Sequence, residues 1–129
     1  MLSPQMQATT ATETPRRDLK FRTRDFALRI IRLHSSLPRT TVAQVIGRQL
    51  LRSGTSVGAN YREGMRARSH AEYATKLNLS LMELEETLYW LEIVEGTGLL
   101  KPPKLHAIEQ ETRELMAIFI SLINKWRSK

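Results

Sequence analysis

The chain has 129 residues, no cysteine, 26% charged residues and a formal net charge of +7 with a pI near 10.2. That length suits one domain with a modest core, the lack of cysteine excludes disulfides, thiolate catalysis and cysteine-based zinc sites, and the positive charge directs attention to polyanionic partners. No run of about 18 apolar residues is present to span a membrane as a helix, and the polar start MLSPQMQATTATETPRR lacks the apolar centre of a secretory signal, so the cytoplasm is the expected location.

Residues 1–17 are rich in Thr, Pro and Gln without periodicity and are expected to form a disordered tail ahead of a domain spanning 18–129. The first helix is predicted from about Lys20 to Ser36, with Phe26, Ala27, Ile30, Leu33 and Leu37 on its apolar stripe and Pro38 ending it. The second is predicted from about Thr41 to Arg68, with Thr at its start as cap. Its core face comprises Val42, Val45, Ile46, Leu50, Ser53, Val57, Asn60, Tyr61 and Gly64. About 100° around the same helix runs a ridge of Gly47, Leu51, Gly54, Gly58 and Met65. Each mid-helix glycine costs about 1 kcal/mol against alanine, so such a ridge implies the close approach of another helix. A loop through this middle stretch is the alternative, against which the periodicity on both sides argues.

Ser69 and Glu72 form a capping box that opens a third helix running to about Glu95. Its core stripe is Tyr73, Leu77, Leu81, Leu84, Leu88 and Leu91, and Leu79, Met82, Tyr89, Trp90 and Ile93 make a second apolar stripe. A lone bundle needs only one, so the second points to a partner surface, most simply another copy of the chain. Gly96 and Gly98 should end the helix in left-handed geometry, with Lys101, Pro102 and Pro103 as a stiff link. The fourth helix carries Leu105, Ile108, Thr112, Leu115, Phe119, Leu122, Ile123 and Trp126 inward. Four helices on short turns predict an all-α, antiparallel up-and-down four-helix bundle that assembles as a homo-oligomer.

The run from Gln49 to Glu92, QLLRSGTSVGANYREGMRARSHAEYATKLNLSLMELEETLYWLE, resembles the signature of the bacterial four-helix bundle proteins associated with intervening sequences in large-subunit ribosomal RNA genes. The similarity extends from about Phe21 to Trp126. It implies assembly as a homopentameric ring. It also implies kinship with the accessory proteins of diversity-generating retroelements, and through them association with nucleic acid and a reverse-transcriptase-like partner. It brings no reaction, catalytic residue or cofactor with it.

Charge is unevenly spread: residues 21–39 and 40–68 each carry +4, residues 69–100 carry −5, and residues 101–129 carry +3. Arg22, Arg24, Arg29 and Arg32 on the first helix and Arg48, Arg52, Arg62 and Arg66 on the second are the candidate phosphate-binding groups for DNA or RNA. The alternative for the second set is a salt-bridge seam between subunits with Glu83, Glu86 and Glu92. The candidate oligomer interface is Gly47, Leu51, Gly54, Gly58, Leu79, Met82, Tyr89, Trp90 and Ile93. No metal site or cofactor is expected: His34, His70 and His106 fall on separate segments, and His106 precedes Glu109 where di-iron bundles place Glu before His. Gly54-Thr55-Ser56-Val57-Gly58 lacks the Gly-Lys-Ser/Thr ending of a phosphate loop. No serine has a histidine base at a recognisable spacing, which leaves a non-enzymatic accessory protein as the preferred function and a pure assembly module as the alternative.

Overall fold

Local chemistry marks the helix boundaries in the computed structural model, which describes the backbone of residues 14–127 and the side chains of residues 19–126. Four helices follow one another, α1 (Thr14–Ser35), α2 (Thr41–Gly64), α3 (His70–Gly96) and α4 (Pro102–Arg127), with no strand among the described residues. The first helix reaches back to Thr14, into the stretch whose composition predicts a tail; residues 1–13 of that tail lie outside the described residues. Thr40 is extended and its hydroxyl accepts the Ala43 N–H at 3.1 Å, capping α2. Ser69 does the same for the Glu72 N–H at 3.1 Å, while the Glu72 carboxylate reaches back to the Arg68 N–H at 3.5 Å, one residue before the expected one.

At the end of α3 only Gly98 is left-handed, with φ 72°; Gly96 is still helical. The Gly98 N–H bonds the Glu95 carbonyl and the Leu99 N–H bonds the Val94 carbonyl, the paired closure of a Schellman motif. Pro102 and Pro103 are the first two residues of α4 and so form its opening turn, where a missing N–H costs nothing. The second helix stops at Gly64, short of Arg68, and it is helical without a break through Gly54 and Gly58.

The core gathers Phe26 and Ile30 of α1, Leu50 and Tyr61 of α2, Leu77, Leu84 and Leu91 of α3, and Leu115 and Phe119 of α4, all fully buried. Tyr61 meets Phe119 edge to face at 5.8 Å. Trp126 closes the far end against Tyr73 at 5.3 Å and His70 at 4.5 Å. Two positions assigned to the core are exposed, Val42 at 56% and Val45 at 51%. On α3, Ser80 and Thr87 are fully buried where Leu81 and Leu88 were expected to lead. Their size explains this: the Ser80 hydroxyl donates to the Val57 carbonyl at 2.8 Å, and the Thr87 hydroxyl lies 2.9 Å from that of Ser53, so α2 and α3 approach closely along a line of small side chains.

The glycine ridge serves the chain's own α1. A Cβ on Gly54 would stand 2.8 Å from two carbons of Ile30, one on Gly58 would stand 2.9 Å from the Thr23 hydroxyl, and one on Gly47 would stand 3.0 Å from His34 and Leu37. The glycines do mark a close approach, but the approaching helix is intramolecular, and Gly47, Gly54 and Gly58 are buried. They therefore leave the candidate oligomer interface. The pairs run in opposed order, 23 with 58 and 30 with 54 on α1 and α2, and 57 with 80 and 53 with 87 on α2 and α3.

Candidate functional site

Carboxylate partners divide the eight arginines singled out in the sequence. Arg22 grips Glu111 through Nε at 3.1 Å and Nη2 at 2.7 Å and also touches Glu114 at 3.3 Å, so α4 neutralises it. Arg52 pairs with Glu83 at 3.4 Å and with Glu86, within one chain. That hydrogen bond, joined by the indole N–H of Trp90 at 3.1 Å, holds the Glu86 carboxyl below the usual range. The sequence suggests a salt-bridge seam between subunits; the pairing of Arg52 with Glu83 and Glu86 is made instead within one chain. Among the described residues Arg24 makes only an exposed contact with Asp25 at 3.4 Å, and Arg62 donates to the Lys20 carbonyl at 3.4 Å. Arg29, Arg32, Arg48 and Arg66 have no carboxylate within ion-pair distance among the described residues.

Two of these four converge. Neighbouring helices touch least where α1 faces α4, and an open groove of about 340 Å³ lies there, with Arg29 and Arg32 of α1 and Ser36 just beyond its end on one bank and Lys104 of α4 on the other. Leu33, Leu100 and Ile108 floor it. Lys104 had not been picked out from the sequence. It lies in the first turn of α4 and becomes part of a basic cluster only because α4 folds back beside α1.

The second apolar stripe of α3 is outward over part of its length. Met82 is 61% and Tyr89 54% exposed, and Leu79 is exposed beside them. Trp90 and Ile93 are half-buried and pack against the core, with the Trp90 ring 4.9 Å from that of Tyr89. Leu51 on α2 is half-buried.

A family model describing the 23S rRNA-intervening sequence protein matches residues 18–121. The chain belongs to that family. A solved structure of a protein with unknown function from the S23 ribosomal protein family of Bacteroides thetaiotaomicron is 38% identical to it, with a TM-score of 0.77, over 81% of this chain and 97% of that one. A comparison with curated proteins found no match.

The stretch shared with the 23S rRNA-intervening sequence protein family is, in this chain, mostly a packing device. Within SGTSVGANYREG, Gly54 and Gly58 receive α1, Ser53 and Val57 receive α3, and Tyr61 receives Phe119 of α4. Within ETLYWLE, Thr87 and Leu91 face inward while Tyr89 remains exposed. No described helix is long and apolar enough to cross a membrane.

One further cluster escaped sequence reasoning. Glu95 in the last turn of α3 meets His106 and Glu109 of α4, their ligand atoms all within 4.8 Å of one another. Glu109 is only 6% exposed. Burial, and then the facing Glu95 carboxyl, push its pKa up against the weaker opposing pull of Arg113 and His106. Residues 106 and 109 share a helix face whichever comes first. The missing signal was Glu95, which the short turn of 97–101 brings over them.

Proposed function

We propose that this protein is a non-enzymatic, homo-oligomeric accessory scaffold that holds nucleic acid through its phosphates. Its setting would be the cytoplasm, beside a nucleic-acid-processing partner such as a reverse-transcriptase-like enzyme. The observation that carries this reading is the convergence of Arg29, Arg32 and Lys104 on one groove without carboxylate partners among the described residues. Guanidinium forks suit phosphate oxygens, and a site of this kind reads backbone and not bases. The family description makes a structured RNA the first ligand to try. Arg48 and Arg66 extend the free positive charge, whereas Arg22 and Arg52 are spent inside the chain.

The opposed residue pairings support an antiparallel up-and-down bundle, and the exposed strip of Leu79, Met82 and Tyr89 supports its closure into a ring, five-membered by family resemblance. Val45 lies two turns before Arg52 on α2 and Ile93 two turns after Glu86 on α3. The Arg52–Glu86 pair thereby carries these apolar residues to one end of the same seam. Exposed Val45 thus lengthens the apolar strip.

Fluorescence anisotropy with an RNA hairpin and a DNA duplex tests the binding reading. Binding that weakens steeply with salt and is lost in a triple Arg29→Ala, Arg32→Ala, Lys104→Ala variant is the expected result. The exposed strip alone favours the second reading, a pure assembly module. No binding of either probe at low salt, with the oligomer intact, would select it.

A further inference from the structure

We propose that Glu95, His106 and Glu109 form a binding site for a divalent transition cation of zinc's class, which clips the end of α3 to the start of α4. Two carboxylates and one imidazole are the ligand types such ions take, and with three protein ligands a water completes the shell. This reading is independent of nucleic-acid binding.

Geometry carries the proposal. Glu109 is more than nine-tenths buried, and its carboxyl has no hydrogen bond to any described group outside the cluster. A buried carboxylate without an external donor is costly unless something positive sits against it. It instead faces a second carboxyl, that of Glu95, with the His106 imidazole alongside and all three ligand atoms within 4.8 Å. A tetrahedral ion with bonds of about 2.0–2.2 Å holds its ligands about 3.4 Å apart, so a cluster within 4.8 Å needs at most a small contraction. Glu109 is the fixed anchor; exposed His106 and half-buried Glu95 have the freedom to close on it. An open pocket beside the cluster, lined by Glu92, Glu95, Gly96, Pro102, Glu109 and Arg113, gives an entry path. Arg113 is the competing cation, one turn beyond Glu109 and exposed to solvent, where it can swing away.

The probe is cobalt(II), whose visible absorption reports nitrogen and oxygen coordination, added to the full chain after dialysis against a chelator and then displaced by zinc. One equivalent per chain is expected, with a rise in Tm on loading because an ion bound only by the folded state stabilises it. His106→Ala and Glu109→Gln should each weaken binding at least about tenfold, since even groups behind the ligands act on that scale. His70→Ala, at the opposite end of the bundle against Trp126, should change nothing. Circular dichroism of the metal-free variants checks their folding, and exposed His106 keeps the test decisive should Glu109→Gln fail to fold. Absent binding at millimolar metal, affinity indifferent to His106→Ala, or affinity lost with His70→Ala would each overturn the site.

Discussion

Ile30 occupies the space where a side chain on Gly54 would begin, and the consequence can be measured against a glycine that has no such neighbour. A Cβ at position 54 would press on the branch carbons of Ile30, which sit close to their own backbone and have little room to yield. Gly54→Ala should therefore suffer an overpacking penalty of about 1–3 kcal/mol, offset by about 1 kcal/mol of helix propensity, and be less stable than wild type by about 1 kcal/mol. Gly96 has nothing within 4 Å of its Cβ position, so Gly96→Ala should be neutral or stabilising by up to about 1 kcal/mol. Urea unfolding of both separates the two environments. A second residue-scale test uses two glutamates of opposite sign. Glu109 has a raised pKa in the fold, so its penalty is absent below the ordinary value of about 4.3; it grows as pH rises through the folded value and persists above it. In metal-free protein Glu109→Gln should be the more stable form at neutral pH, with the advantage gone at about pH 4. Glu86 has a lowered pKa, so its contribution holds above the ordinary value and fades as pH falls through the folded one. Its partner Arg52 is half exposed, so Glu86→Gln should cost no more than about 1 kcal/mol at neutral pH. Thermal melts from pH 3 to pH 8, with roughly unit steps, follow both curves.

Among the elements, α3 divides its surface between an internal seam and an outward strip, and substitutions on each should fail differently. Ser80→Ala removes the hydroxyl that bonds the Val57 carbonyl across the α2–α3 seam and should cost about 1 kcal/mol without altering assembly. Met82 and Tyr89 face outward, so Tyr89→Glu should dissociate the proposed oligomer in light scattering while leaving the circular dichroism spectrum unchanged. Trp90 packs on the core and bonds Glu86, so a charged residue there should lower stability as well as break assembly. Helix existence, caps and most inward stripes were legible because they are local: Thr40 and Ser69 cap as their hydroxyls dictate, and Gly98 turns where a left-handed residue is needed. What failed was the identity of a neighbour. Periodicity gave Gly54 and Gly58 a face of α2 but not the helix lying on it, because an intramolecular helix and a second subunit demand the same small residues. Val42 misled for a related reason. At this end of α2 the buried face is carried by Ala43, Ile46 and Gly47, and Val42 falls to one side of it. The Glu95, His106 and Glu109 cluster depends on a turn joining two helices, and no single-helix pattern contains it.

Over the whole molecule the net charge of +7 overstates the free positive surface at some places and conceals it at others. Glu111 and Glu114 cover Arg22 and the acidic helix covers Arg52, whereas Arg29, Arg32 and Lys104 share a groove with only apolar and hydroxyl neighbours. An assembly repeats that groove once per subunit, and this couples the two halves of the proposed function in a single observable. The logarithm of affinity falls with the logarithm of salt concentration with a slope of about −0.9 per duplex phosphate neutralised, or about −0.7 on a single strand. A ring that lays several grooves on one nucleic acid should therefore show a steeper slope than one chain can produce. The double variant Met82→Ser, Tyr89→Ser removes apolar surface without adding charge, so any change in slope reports assembly and not electrostatics at the mutated positions. Its slope, measured by anisotropy on a duplex long enough to cross the ring, should drop towards the value of an isolated chain, with affinity falling alongside. Arg22→Ala, by contrast, should leave the slope unchanged and lower stability, because that guanidinium already belongs to Glu111. Identical slopes for the wild-type protein and the double variant would mean that each chain binds alone, and that any assembly through the apolar strip of α3 serves some purpose other than holding nucleic acid.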